Sequence, residues 1–388
     1  MTDKDKPKDE TTATHAGRMS AEHFGAVNTP VYRASTILYP DLASLDAGKG
    51  PYTYGRRGTP THRSLEDALT ELEGGARTLL CPSGLNAIAL AITSVCGAGD
   101  HLLMADSCYE PTRKLCDRTL KRFGIETTYY DPLIGGGIAQ LMRPNTKAIF
   151  CESPGSLTFE IQDIPAIAAV AHKHGASVLL DNTWATPLFF KPFAHGVDLS
   201  IQAATKYIGG HADVMIGYVT ANESHRARLL ETHGDTGLYI SGDDAFLALR
   251  GLRTMPVRLA QHQKTAREMA LWLQNHEAVS RVLYPALETD PGHAIWRRDF
   301  TGASGLLGVV LKPAAKPALA AFLDGLKLFG MGFSWGGYES LVVPAHIHRT
   351  VSRFEAAGPV IRIHAGLEDA GELIADLNEG LTRYIDAK

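Results

Sequence analysis

No apolar run in this 388-residue chain approaches the ~20 residues that a membrane span needs. The five cysteines, Cys81, Cys96, Cys108, Cys116 and Cys151, are odd in number and form no Cys-x-x-Cys pair. Neither a disulfide framework nor a zinc site is therefore indicated. The net charge is only −4, which gives no general attraction to nucleic acid or to an anionic membrane surface. The first ten residues carry seven charges and lack the apolar centre of a secretory signal. Sixteen histidines are present, but none has metal-ligand spacing with a carboxylate partner, so a metal hydrolase is not supported. Gly135-Gly-Gly has no Gly-x-Gly-x-x-Gly or Walker pattern around it and reads as a flexible loop. These absences describe a soluble protein of a reducing compartment, the cytoplasm, acting on a small molecule.

Apolar residues make up 45% and charged residues 21%, an ordinary globular balance. The length exceeds what one core usually serves, which implies a large domain with a smaller one attached. The charged start reads as a disordered tail, and Pro30, Pro40 and Pro51 interrupt any helix up to about Gly58. Residues 1–60 are thus expected to form a tail and an extended arm. Beyond them, helical spacing over 62–73, 84–95, 111–123 and 164–174 alternates with short apolar runs at 76–82, 101–105, 147–152, 177–181 and 198–202. Such alternation predicts an α/β domain over 61–255, with a mostly parallel sheet covered by helices on both faces. A helix over 257–275, a strand at 305–311 and a last helix over 370–385 predict a smaller α+β domain over 256–388.

Four features fall at strand ends, where an α/β sheet places ligands. Lys206 follows the run ending near Ala204; by itself it reads as a solvated loop residue, as most lysines are. Asp181 closes Val178-Leu-Leu, where an acid also commonly caps the next element or binds a metal. Together, though, a lysine and a carboxylate one strand apart are what pyridoxal 5′-phosphate (PLP) requires. The amine holds the aldehyde, and the carboxylate keeps the pyridine nitrogen protonated. Ser83-Gly84-Leu85 opens a helix after a strand, a ready anion site, with the Thr205 hydroxyl as a further phosphate contact. Tyr109 lies just past a strand end and can stack on a flat cofactor or simply pack.

The longer segments around these residues resemble the Cys/Met-metabolism family of PLP enzymes. The matching pieces are Tyr54-Gly-Arg-Arg-Gly-Thr-Pro-Thr, Cys81-Pro-Ser-Gly-Leu, Tyr109-Glu-Pro-Thr and Asp181-Asn-Thr-Trp-Ala-Thr-Pro. They continue with Gln202-Ala-Ala-Thr-Lys-Tyr-Ile-Gly-Gly-His-Ala-Asp, Ser334-Trp-Gly-Gly-Tyr-Glu-Ser-Leu and Ile361-Arg-Ile-His-Ala-Gly-Leu-Glu. The resemblance implies the fold-type I architecture of aspartate aminotransferase, assembled as a homotetramer of two catalytic dimers. It implies Lys206 as the cofactor lysine, Asp181 at the pyridine nitrogen, Tyr109 on the ring, and Gly84, Leu85 and Thr205 at the phosphate. Tyr54 and Arg56 would reach the phosphate of the neighbouring subunit, and Arg362 would clamp the substrate α-carboxylate. Many relatives carry serine at the position of Ala203, so one phosphate hydroxyl is expected to be missing.

Family members run β-elimination, γ-elimination, γ-replacement or sulfhydrylation with most of these residues in common. Ser334, Trp335 and Tyr338 resemble the β-lyase version; packing of Trp335 between domains is the other reading. The implied reaction is β-elimination of L-cystathionine to homocysteine, pyruvate and ammonia. Lys206 would remove the Cα proton, and Tyr109, with a depressed pKa, would help deprotonate the incoming amine. The alternatives are a γ-lyase, a γ-synthase or an O-acylhomoserine sulfhydrylase and, more distantly, a PLP-binding regulator without turnover.

Overall fold

The structure is a computed structural model and describes residues 7–387. Among these, seven strands form the larger sheet: β1 (Arg77–Cys81), β2 (His101–Ala105), β3 (Glu126–Tyr130), β4 (Thr146–Glu152), β5 (Ser177–Asp181), β6 (Leu199–Gln202) and β7 (Gly217–Ala221). Their spatial order is β1-β7-β6-β5-β4-β2-β3, with β7 antiparallel to both neighbours and the other pairings parallel. The expected α/β architecture is present, and strands β3 and β7 add to the runs anticipated from sequence.

Period-two alternation explains why the central strands are apolar throughout. Ala148, Phe150 and Leu179 face the core beneath helix Gly84–Val95, while Ile149, Cys151, Val178 and Leu180 face the opposite core. Both faces are buried, so no polar stripe is tolerated. All five cysteines lie in this buried material as free thiols.

The C-terminal part forms an antiparallel sheet from β8 (Val279–Leu283), β9 (Leu306–Leu311), β10 (Leu341–Pro344) and β11 (Val360–His364), in the order β10-β11-β9-β8. Helix Ala370–Asp386 closes it, with Asp369 capping the first turn through the amides of Gly371 and Glu372.

Several local expectations differ from what is observed. The helix expected from residue 257 begins at Gly242 and runs to Gln274, so the boundary drawn at 255/256 passes through it. Pro256 stands inside without ending it. The reason is packing: Ala245, Leu249, Leu252 and Met255 bury in one core and Ala266, Met269 and Leu273 in another, which outweighs a lost backbone bond. Asp9 and Glu10 open helix Asp9–His15, anchored by Asp9 to Lys191 at 2.8 Å, rather than belonging to a tail. The rest of the charged start, through Lys6, lies outside the described residues. Gly135–Leu141 is a 3₁₀ helix instead of a flexible loop. Residues 111–123 do form a helix, but it starts at Glu110 and contains a π turn over Leu115–Leu120.

Asp106, just past β2, ties the two parts together. Its carboxylate accepts from the amides of Thr350, Val351 and Ser352, from the hydroxyls of Thr350 and Ser352, and from Arg113 at 2.6 Å. Burial works against its charge, but these donors prevail and hold it well below the usual carboxylate range.

Candidate active site

Three strand ends meet at one edge of the larger sheet. Asp181 ends β5, Glu152 ends β4 directly beside it in register, and the chain leaving β6 turns at 203–206 to present Lys206. The Lys206 ammonium donates to Ser334 Oγ at 2.5 Å and lies 5.3 Å from the centre of the Trp335 ring. Burial and the nearby Arg362 lower the Lys206 pKa to about 8, against the opposing pull of Asp181. Burial raises the pKa of Asp181, although Thr183 supports its charge with an amide bond at 3.0 Å.

The sequence reading overlooked Glu152. Its Oε2 accepts the amide of Tyr109 at 2.7 Å, fixing where the Tyr109 ring begins. Burial, with Asp181 as a like charge, raises its pKa well above the carboxylate range. A signal existed: Lys147-Ala-Ile-Phe-Cys-Glu ends an apolar strand in an acid, just as Val178-Leu-Leu-Asp does. The depressed Tyr109 pKa expected from sequence belongs to the site with its cofactor bound; the chain's own groups act in the other direction. Burial and the carboxylates of Glu152 and Asp181 push the phenol up, because each disfavours a phenolate.

At the start of helix Gly84–Val95, Ser83 caps the amide of Asn86, and Ser83 O takes the amide of Ala87. The amides of Gly84 and Leu85 are the first-turn donors that a helix cannot satisfy internally. Gly84 is needed for a close approach, since a Cβ there would fall 2.6 Å from Ala203 Cβ. Thr205 stands alongside, its hydroxyl exchanging bonds with the Ile216 backbone at 2.9 and 3.0 Å.

The smaller sheet supplies the opposite wall. Arg362, on β11, donates to the carbonyl of Ser334 at 2.9 Å, while its buried Nε has no partner. Burial lowers its pKa to about 10. The Ser334 backbone is held at φ +76°, a left-handed conformation costly for a residue with a Cβ. Trp335 packs against two core clusters, as the packing reading expected, and also faces Lys206. Tyr54 and Arg56 lie elsewhere: Tyr54 is largely exposed, and Arg56 donates to the carbonyl of Gly234 at 2.9 Å. No bond joins either of them to Lys206, Asp181 or Gly84 among the described residues.

A lysine with a lowered pKa, a buried carboxylate one strand away and an open helix N-terminus on this sheet define a fold-type I PLP enzyme. The chain belongs to the family described as "Cys/Met metabolism PLP-dependent enzyme", which it matches over residues 10–382. It is 50% identical to a "Putative cystathionine beta-lyase" of Rhizobium johnstonii over 95% of both chains. It is 44% identical to the "Cystathionine beta-lyase MetC" of Escherichia coli, covering 97% of this chain and 98% of that one. An "L-alanine/L-glutamate racemase" of Wolbachia pipientis is 40% identical over 97% of both. The crystal structure of a cystathionine gamma synthase from Xanthomonas oryzae in complex with cystathionine superposes with a TM-score of 0.91, at 32% identity, over 99% of this chain and all of that one.

The residues present fit PLP. Only a glycine fits against Ala203 at the start of the helix whose first-turn amides would take a phosphate, Lys206 has a pKa lowered to about 8, and Arg362 keeps an unpartnered buried donor for a carboxylate. Among the described residues no helix is long and apolar enough to cross a membrane, and no group of acidic, His or Cys side chains forms a metal site.

Proposed function

We propose that this enzyme cleaves the Cβ–S bond of L-cystathionine, giving with one water homocysteine, pyruvate and ammonia. The observation that carries the reading is the Ser334–Trp335 loop, which closes the substrate side directly onto Lys206. The β-lyase names of the relatives support it. PLP, when bound, supplies the electron sink that makes the substrate Cα–H acidic.

The chain's own residues do the rest. Lys206 would hold the cofactor aldehyde. Its free amine, with a pKa of about 8, would be a base able to take the Cα proton near neutral pH. Asp181 keeps the ring nitrogen protonated, and that cation in turn offsets the cost of burying the carboxylate. Gly84 and Leu85, with Thr205, hold the phosphate. Arg362 binds the α-carboxylate through the face not used by Ser334 O. Tyr109, a neutral phenol whose amide is fixed by Glu152, stacks on the ring and orients the amine. Tyr54 and Arg56 complete the phosphate site of a neighbouring copy in a homotetramer, and the site works in the cytoplasm.

Identification of the keto acid released from cystathionine tests the reaction. Pyruvate supports β-elimination; 2-oxobutyrate would replace it with γ-elimination. Interconversion of L- and D-alanine without keto acid would replace both.

A further inference from the structure

Beneath the Lys206–Trp335 contact lies a buried polar cluster that the proposed reaction does not use. His364 stands on β11 two residues after Arg362, so both side chains project from the same face of the strand. It is fully buried, and its Nε2 meets the amide of Gly336 and the carbonyl of Gly337, both at 3.1 Å. The Gly336 backbone has φ +89° and lies against Lys206, where a Cβ would sit 2.9 Å from the Lys206 carbonyl carbon. His262, also fully buried, donates from Nδ1 to the carbonyl of Ala365 at 2.8 Å, and its ring centre is 5.2 Å from that of His364. Tyr207 packs on both imidazoles and on Trp335. His364 Nδ1 and His262 Nε2 have no partner.

The tautomers follow from satisfying the donors. A ring nitrogen either donates or accepts, so His364 Nε2 cannot serve both Gly336 N–H and Gly337 O. A buried amide left without an acceptor is the costlier omission, which makes Nε2 the acceptor and places the proton on Nδ1. His262 must carry its proton on Nδ1 to reach a carbonyl, leaving Nε2 as an acceptor. The two unpartnered atoms are thus one donor and one acceptor on neighbouring rings.

We infer that His364, locked as the Nδ1–H tautomer by the Gly336 amide, and His262, packed against it, form a positioning pair that fixes the loop bearing Ser334 and Trp335 over Lys206. The pair is a positioning device: it touches neither cofactor nor substrate. It ties the loop to β11 and to the helix Gly242–Gln274, so Trp335 stands at a set height above the lysine.

The inference rests on the proposed substrate role of that loop, and the test separates the two. In ¹⁵N-histidine spectra of the PLP-loaded enzyme, His364 is expected as the Nδ1–H tautomer, assigned by its loss in His364→Gln. His364→Ala and His262→Phe are each expected to raise KM for cystathionine about tenfold with kcat changed less. The borohydride-sensitive absorbance should be retained, and His364→Gln should restore part of the loss. An Nε2–H tautomer at His364, or an unaltered KM in both variants, would overturn the pair. A parent enzyme inert toward cystathionine but showing the Nδ1–H tautomer would support the pair and overturn the reaction assignment.

Discussion

The two walls of the site are built in different ways. On the larger-sheet side, Asp181, Glu152 and Lys206 sit at or just beyond the ends of adjacent strands whose neighbours are buried on both faces. On the smaller-sheet side, Ser334 and Trp335 lie on an irregular loop with two left-handed residues, held by hydrogen bonds to Arg362 and His364 of β11. The first wall is rigid by construction and suits a group that stays bound through every turnover. The second can change a few side chains without disturbing a strand, so it is the natural place for family members to differ in the bond they break.

That contrast makes the two walls separable by mutation. The largest effect is expected at Lys206→Ala: loss of the borohydride-sensitive absorbance and a fall in kcat of about 10³-fold or more, measured by absorbance and pyruvate release. Retained absorbance would show that another amine holds the cofactor. Asp106→Ala, which cuts the link between the walls and strands the buried Arg113, should lower unfolding stability by about 3–5 kcal/mol in urea titrations. In the parent, the Asp106 contribution is present above the ordinary aspartate range and is lost as pH falls, because the folded state keeps the carboxylate charged longest.

On the second wall, Arg362→Lys keeps charge but loses the planar fork. A drop in kcat/KM of about 10- to 100-fold with an unchanged cofactor spectrum is expected. A bleached spectrum instead would mean that the walls are not independent. The last effect, on stability alone, lies away from both. Glu73 is buried, which raises its pKa from 4.5 to about 7, with its hydrogen bond from Tyr218 opposing. The folded chain therefore holds this proton more tightly than the unfolded one, and stability should fall by up to about 3 kcal/mol as pH rises from 4.5 to 7. Glu73→Gln should flatten that slope in thermal melts at several pH values.

Much of the first wall was readable because its signals are local. Val178-Leu-Leu-Asp and Gln202-Ala-Ala-Thr-Lys each join an apolar run to a functional group within a few residues, and Ser83-Gly84 marks the helix start that Ser83 caps. Glu152 carries the same signal, an acid closing an apolar strand, but no lysine stands one strand further on. Strand β7 was missed because it joins the sheet antiparallel, outside the strand–helix alternation. Pro256 concealed the first half of the helix Gly242–Gln274, since tertiary burial outweighs its local penalty.

Short-range pattern by itself determined the α/β class, the resemblance of its motifs gave the family, and the same segments offered the lysine, carboxylate and glycine proposed here for the PLP site. Those features depend on strand ends and helix starts, which are local. Only the tertiary structure decided that Glu152 takes the Tyr109 amide and, with Asp181 and burial, pushes the phenol up. It also decided that Asp106 joins the two parts, and that His262 and His364 meet beneath Trp335. These outcomes depend on which charges and donors stand across a gap of 43 residues or more of chain, and on how much water is excluded there, quantities that no short window of sequence contains.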